Sequence, residues 1–338
     1  MKTFGFQWHL TDRCNLRCSH CYQSDFGPGS ERPLADLCAM ADRILPGVSG
    51  RAVSINLTGG EPLLFPGLTA LMEHLHGFSN LEEIHLITNG TVVSDGILGE
   101  LGRFPRLRSF KVSLEAAEAA VNDAIRGPGN LARVSANIEI LRRRTGKEVV
   151  LMTTLGRYNA VSVQALADLA RRLDVAGIIF ERFVPLGQGL GLAGQAMGPG
   201  EWRDVLAAIL AAAGCDAEPD ELLAYHAFWL QTGPDAGEAL RGALCNLGEE
   251  SMALMPDGTV YPCRRLPVPV GNVLAEPFAA ILAKLRGYSA GALRARLTGN
   301  LCGWCGVDGC TGCRALAMAL TGDWLADDPL CPLRLEDS

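Results

Sequence analysis

Short apolar runs alternate with helix-period stretches over the first half of the chain. Phe4–Leu10, Ala52–Leu57, Glu83–Thr88, Ser109–Leu114, Val149–Leu155 and Gly177–Val184 read as six strands. Between them, Leu34–Leu45, Leu68–Leu75, Asp95–Leu101, Ala132–Arg144 and Ser162–Leu173 repeat their apolar positions every three or four residues, as helices do. Six strands alternating with five crossover helices predict an α/β fold with a parallel sheet and right-handed connections. Six such units fall short of a closed eight-stranded barrel.

The texture then changes. Gly187 to Gly200 carries six glycines and reads as a linker, and Glu201–Ala213 reads as a helix. From Cys245 onward regular periodicity fades and seven cysteines fall within 87 residues. Pro256-Asp257-Gly258 predicts a hairpin turn. The expected organisation is therefore a βα domain over residues 1–190, a linker and helical bridge over 191–244, and a second, cysteine-stapled domain over 245–338.

Composition narrows the function. With 338 residues, 48% of them hydrophobic, the chain can bury a large core. A formal net charge of −7 gives no reason to expect nucleic-acid binding. The longest apolar run, Val205–Cys215, is about half a membrane span. Met1-Lys2-Thr3 leads into an aromatic strand without a signal-peptide pattern, so the expected location is cytoplasmic, with no membrane partner. Twelve cysteines, clustered in such a chain, point to metal sites rather than disulfides.

The densest chemistry is Cys14-Asn15-Leu16-Arg17-Cys18-Ser19-His20-Cys21. Thiolates spaced by three and then two residues can reach three corners of a [4Fe–4S] cube, leaving one iron open. Stored electron-transfer clusters take four cysteines, and structural zinc sites pair two C-x2-4-C knuckles. The run resembles the signature of radical S-adenosylmethionine (SAM) enzymes, C-x3-C-x2-C directly after a first strand. The resemblance implies an open partial (β/α)6 TIM barrel with the site at the C-terminal strand ends, Cys14, Cys18 and Cys21 holding the catalytic cluster, and SAM chelating its open iron.

Further segments resemble the family's SAM contacts. Gly59-Gly60-Glu61-Pro62 follows the second strand, and the resemblance implies that it meets the methionyl amino group, with Glu61 complementing its charge. Glycines there let backbone approach a ligand. His20 occupies the place of an aromatic that packs on adenine. Thr88-Asn89-Gly90 closes the third strand, where an ordinary strand-end turn is an equal reading. Ser113-Leu114-Glu115 closes the fourth, with hydroxyl and carboxylate expected on the ribose. Asn122-Asp123-x-Ile125-Arg126-Gly127 offers Arg126 for a bidentate grip on the SAM carboxylate. Glu181-Arg182-Phe183-x-Pro185-x-Gly187 places Arg182 near SAM.

The second cysteine field resembles the SPASM extension of these enzymes, which holds two auxiliary iron–sulfur clusters. Cys245 and Cys263 flank Gly258, and Cys302-x2-Cys305-x4-Cys310-x2-Cys313 and Cys331 follow. The last two gaps of the central motif are each one residue shorter than the usual C-x2-C-x5-C-x3-C. The resemblance implies one complete cluster on Cys302, Cys305, Cys310 and Cys331, and another on Cys245, Cys263 and Cys313 whose fourth ligand is Cys215 or an open iron. The alternative from the residues is a zinc ribbon, for which an intervening gap of four is very short. Cys38, within the first helix pattern, reads as a core residue.

Three [4Fe–4S] clusters and SAM imply an enzyme that generates a 5′-deoxyadenosyl radical and abstracts hydrogen from its substrate. SPASM proteins mostly act on ribosomally made peptides, and the Gln7-Trp8-His9-Leu10-Thr11 opening resembles maturases of Nif11-type precursors, spliceases included. The expected partners are a precursor peptide, a flavodoxin- or ferredoxin-type electron donor and a separate small leader-binding protein, since only about ten residues precede the first cysteine loop. A haem or tetrapyrrole substrate is the alternative within enzymes. A non-catalytic iron–sulfur carrier is the alternative outside them, and it would not need Gly59-Gly60-Glu61-Pro62.

Overall fold

In β1 (Thr3–His9), Phe4, Phe6 and Trp8 are buried and alternate with the less buried Gly5 and Gln7. Because successive side chains face opposite sides of a strand, one face of β1 packs under helices and the other looks inward. Each buried aromatic contributes about 1.5–3 kcal/mol. The same alternation marks β2 (Ala52–Thr58), with Val53, Ile55 and Leu57 buried and Ser54 and Asn56 less so. A parallel sheet covered on both faces by helices shows apolar residues at every position. The half-polar alternation here belongs to a sheet curved around a polar interior.

The computed structural model describes residues 3–233, 239–248 and 251–335, and the outer limits of the expected first and last regions, residues 1 and 338, lie outside the described residues. Strands β1, β2, β3 (Leu81–Thr88), β4 (Leu107–Ser113), β5 (Glu148–Leu155) and β6 (Gly177–Arg182) pair in that order, all parallel. Helices α1 (Leu34–Gly47), α2 (Leu68–His76), α3 (Asp95–Gly102), α5 (Asn130–Thr145) and α6 (Val163–Arg172) form the crossovers. These are the parallel strands and crossover helices that the periodicity predicts, curved into the α/β partial barrel that the family resemblance implies. One helix, α4 (Ala119–Arg126), was not predicted. Its buried face is Asn122, Ile125 and Arg126, so it shows no apolar period.

The segments after the sixth strand extend the same sheet at both edges. After α7 (Pro199–Ala213), β7 (Tyr225–Gln231) and β8 (Leu240–Leu244) add antiparallel strands beyond β6. At the opposite edge β9 (Ser251–Leu254) pairs in parallel with β1, and β10 (Thr259–Tyr261) and β11 (Gly271–Asn272) follow antiparallel, giving one eleven-stranded sheet. The expected hairpin turn at 256–258 joins β9 to β10. Helix α8 (Phe278–Leu285) then packs the Phe278 ring edge-on against Phe4, 6.5 Å between centroids. The short α9 (Ala290–Arg294) and α10 (Arg314–Thr321) complete the chain's helices among the described residues.

The glycine-rich stretch, expected as a linker, has regular turns of its own. Gly187–Gln195 coils into 3₁₀ turns against the first cysteine loop, with Gln188 donating its amide to the Gln23 carbonyl at 3.0 Å and Gly189 to that of Cys21 at 2.9 Å. Gly187 has φ +55°, and a Cβ there would run into the backbone of Tyr22 and Gln23. Gly187→Ala should therefore cost about 1–3 kcal/mol in denaturant unfolding and make the Cys14–Cys21 loop more susceptible to limited proteolysis. An unchanged midpoint and cleavage pattern would show that the turn does not brace the loop.

Candidate active site

Cys14, Cys18 and Cys21 share one cavity of about 920 Å³ with Gly59, Gly60, Asn89, Ser113, Arg126 and Arg182, reached by residues that close β2, β3, β4 and β6. Burial pushes the Cys14 thiol up to about 11 and raises those of Cys18 and Cys21. The metal-free thiols are thus protonated near neutrality, and metal binding must release their protons. Asn89 Nδ2 lies 3.8 Å from Cys14 Sγ, and Arg126 Nη1 lies 3.8 Å from Cys18 Sγ. Among the described residues, no three His, Cys, Asp or Glu side chains group closely enough to hold a single metal ion.

The Gly-Gly pair packs tightly against the cysteine loop. A Cβ on Gly59 would lie 2.6 Å from the Thr11 carbonyl oxygen, and one on Gly60 would run into the carbonyls of Asp12 and Arg13. The backbone that comes close is the cysteine loop itself: Gly60 donates to Thr11 at 2.7 Å and Glu61 to Arg13 at 2.8 Å. The Glu61 carboxylate is fully buried, off the cavity wall, and accepts from the Leu63 amide (3.1 Å), the Thr88 hydroxyl (2.8 Å) and the Asn89 amide (2.8 Å). Burial outweighs these hydrogen bonds and pushes it up to about 7. Glu61 therefore locks the ends of β2 and β3 together.

Glu115 is likewise held by protein partners. Its carboxylate is buried, lines no part of the cavity, and is engaged by Arg126 (Nε at 3.0 Å and Nη2), His20 Nε2 (2.9 Å) and the Thr154 amide (2.9 Å). Burial pushes its carboxyl up, but Arg126 and His20 pull it down further, to about 2. Ser113, two residues earlier, does line the cavity. The Nε/Nη2 edge of Arg126 is spent on Glu115, which leaves Nη1 toward Cys18 and removes that edge from the expected bidentate grip. His20 lines the cavity with its Nδ1 buried and unpartnered, and its ring stands edge-on to Tyr158, 6.2 Å between centroids.

The later cysteines gather in two further places. Cys302, Cys305, Cys310 and Cys331 surround a cavity of about 370 Å³, and Cys245, Cys263 and Cys313 line another of about 1110 Å³. Burial pushes the thiols of Cys302 to about 11 and of Cys245 and Cys331 to about 12. Cys215 is not with the trio. It follows α7, with its sulfur 4.0 Å from the Ala213 carbonyl, and does not line that cavity. Arg182 borders all three cavities. Its Nη1 is 2.8 Å from Asp328 Oδ2, and its guanidinium lies 4.7 Å over the Trp202 ring. Asp328 in turn accepts from the Cys313 amide (2.8 Å) and donates its own amide to Cys302 Sγ (3.2 Å).

Sequence reasoning missed several lining residues. Arg264 and Arg265, directly after Cys263, border both the first cavity and the Cys245 cavity. Arg264 Nη1 reaches the Tyr22 hydroxyl at 3.2 Å, and the Arg265 guanidinium meets Glu181 at 3.6 Å. Asp327 caps the amide of Cys302 at 2.7 Å. Their signal was adjacency: a charged pair beside a cysteine in a cysteine-rich segment.

The site fits an iron–sulfur cluster with a bound small molecule. Three thiols line one cavity, and His20 and Arg264 each keep a buried nitrogen without a partner. Residues 8–170 match the radical SAM superfamily, and residues 245–313 match the SPASM iron–sulfur cluster-binding domain. The chain belongs to the radical SAM superfamily and carries a C-terminal SPASM domain. It is a radical SAM enzyme. It is 28% identical to the AdoMet-dependent heme synthase of Methanosarcina barkeri, over 97% of this chain and 95% of that one (AdoMet being SAM). It is 27% identical to the mycofactocin maturase MftC of Mycobacterium ulcerans, over 96% and 86%. The solved structure of native anSMEcpe with bound AdoMet and Kp18Cys peptide superposes with a TM-score of 0.74 at 18% identity, over 99% and 95%, a likeness of fold. Among the described residues no helix is long and apolar enough to cross a membrane.

The Glu115–Arg126 pair is testable directly. Glu115→Gln leaves the Arg126 charge buried without its partner and should cost about 3–5 kcal/mol in denaturant unfolding at pH 7. Glu115→Gln with Arg126→Met should recover most of that. Because Glu115 is held at about 2, below its ordinary 4.5, the pair's contribution is complete above about pH 4.5 and is lost as the pH falls toward 2. Equal losses in the single and double variants would show that the pair does not hold this wall.

Proposed function

We propose that the enzyme matures a ribosomally made peptide, using SAM at the Cys14–Cys18–Cys21 cavity and auxiliary clusters at the two later cysteine cavities. In this reading residues 1–190 carry the SAM site, 245–338 the auxiliary clusters and 191–244 the bridge, a division of chemistry within one sheet. The cluster, once reduced, supplies the electron that cleaves SAM to methionine and a 5′-deoxyadenosyl radical. The chain's own residues do the rest. Cys14, Cys18 and Cys21 would hold the cluster and leave it an open coordination site for SAM. Gly59 and Gly60 present backbone to the methionyl end, Ser113 faces the ribose, and Arg126 Nη1 supplies positive charge beside Cys18. His20, fixed through Nε2 by Glu115, offers its ring to adenine. Arg182 separates this cavity from the auxiliary ones. A flavodoxin- or ferredoxin-type protein is the electron donor, and a small separate protein presents the peptide.

The observation that carries a peptide substrate is β8. It is the outermost strand on its side, its residues are largely exposed, and among the described residues its outer edge pairs with no other strand. It runs into Ala243, Leu244 and Cys245, which line the Cys245 cavity, and that cavity shares Glu181, Arg182, Arg264 and Arg265 with the SAM cavity. An extended peptide adds readily to such an edge and would be led along one continuous wall. The haem-type alternative keeps its own support, the heme synthase similarity over nearly the whole chain.

Reconstituted without oxygen, the protein should hold about twelve irons per chain, three four-iron clusters. Enzyme, SAM and reductant should then change the mass of a precursor peptide encoded beside it, with the small co-encoded protein improving turnover. A precursor left unchanged under every combination, while a tetrapyrrole is consumed, would replace the peptide reading with the haem-type one.

A further inference from the structure

The Cys245 cavity holds three thiols, and a four-iron cluster needs a fourth ligand or an open iron. Cys215 is elsewhere. Besides its thiols, the cavity's lining carries one carboxylate, Glu181, and one imidazole, His226. Glu181 is committed to Arg265, 3.6 Å away. His226 is different: its Nε2 is buried and has no hydrogen-bond partner. A buried polar atom without a partner is costly and calls for an explanation.

The backbone explains how the ring comes to be there. β7 pairs with β8 through Tyr225↔Leu244 and Ala227↔Ala243, with the register shifting between Tyr225 and Ala227. His226 is the extra residue of that bulge. Bulges re-aim a side chain and occur beside functional sites. The strand facing this bulge ends at Leu244, immediately before Cys245, so the imidazole and the first thiol enter the cavity from neighbouring strands.

We propose that His226 is the fourth protein ligand of the cluster held by Cys245, Cys263 and Cys313, bound through Nε2. This rests on the reading of two auxiliary clusters above and adds that the Cys245 cluster is closed, so that it passes electrons and does not bind the substrate. An imidazole in place of a thiolate removes one negative charge from a cluster and raises its potential.

The test uses the full chain carrying Cys14→Ala, Cys18→Ala and Cys21→Ala, which removes the first cluster and with it the nearby His20. The reconstituted protein, made with natural or ¹⁵N-labelled histidine, is assayed for iron, reduced and examined by pulsed EPR. The expected result is about eight irons for two four-iron clusters and a strong nitrogen coupling that changes with the label. His226→Cys in the same background should keep the iron, abolish that coupling and shift one cluster to a more negative potential. A full iron count without histidine coupling, or coupling that survives His226→Cys, overturns the assignment of His226 alone. An iron count of about half overturns the two-auxiliary-cluster reading and His226 with it.

Discussion

The buried ion pair between Arg182 and Asp328 is the constraint on which the arrangement of the molecule turns. Arg182 is the last residue of the barrel's sixth strand, and Asp328 lies in the final cysteine-rich segment. Both are almost wholly buried. Removing one partner of such a pair costs about 3–5 kcal/mol, because the other is left charged and unpaired. Burial pushes the Asp328 carboxyl up, but the Arg182 guanidinium pulls it below its ordinary value, so it is charged at neutral pH. Around this pair the chain packs three cysteine cavities, with Arg182 bordering each of them. Asp328 reaches two of the later cysteines through the Cys313 amide and Cys302 Sγ.

Charge elsewhere follows the same logic. Buried thiols resist ionisation, and each cavity that gathers them is bordered by guanidinium groups: Arg126 and Arg264 at the first, Arg264 and Arg265 at the second, Arg182 at all three. A cationic wall lowers the cost of holding several thiolates and a cluster out of water. Arg314, itself buried, places Nη2 3.6 Å from Cys302 Sγ and Nη1 on the carbonyls of Trp324 and Ala326, which fixes the loop leading to Asp328. The acidic net charge of the chain hides this local excess of positive charge.

The barrel was legible in the sequence because its strands and crossovers repeat a local period. What was not legible is non-local or polar. The pairing of β9 with β1 joins residues some 250 positions apart with no signal in either segment alone. Helix α4 buries Asn122 and Arg126, so an apolar period does not mark it. At the site, the first cysteine run was readable from spacing and the grouping of the later cysteines from the resemblance to the SPASM extension, whereas the partners of the carboxylates were not. Glu61 and Glu115 stand at the expected strand ends, yet both turn inward to hold loops, because the strand ends need satisfied hydrogen bonds as much as a ligand needs charge. His226 was passed over because a single histidine in a strand has no motif; the bulge that aims it appears only in the register.

The central claim is that the cavity of Cys14, Cys18 and Cys21 cleaves SAM. The most direct measurement is the 5′-deoxyadenosine formed from SAM by the reduced wild-type enzyme and by the variant with those three cysteines changed to alanine, both with the later clusters assembled. The account predicts steady formation by the wild type and none above background by the variant. Equal formation by the two would place SAM cleavage at another cysteine cavity and contradict it.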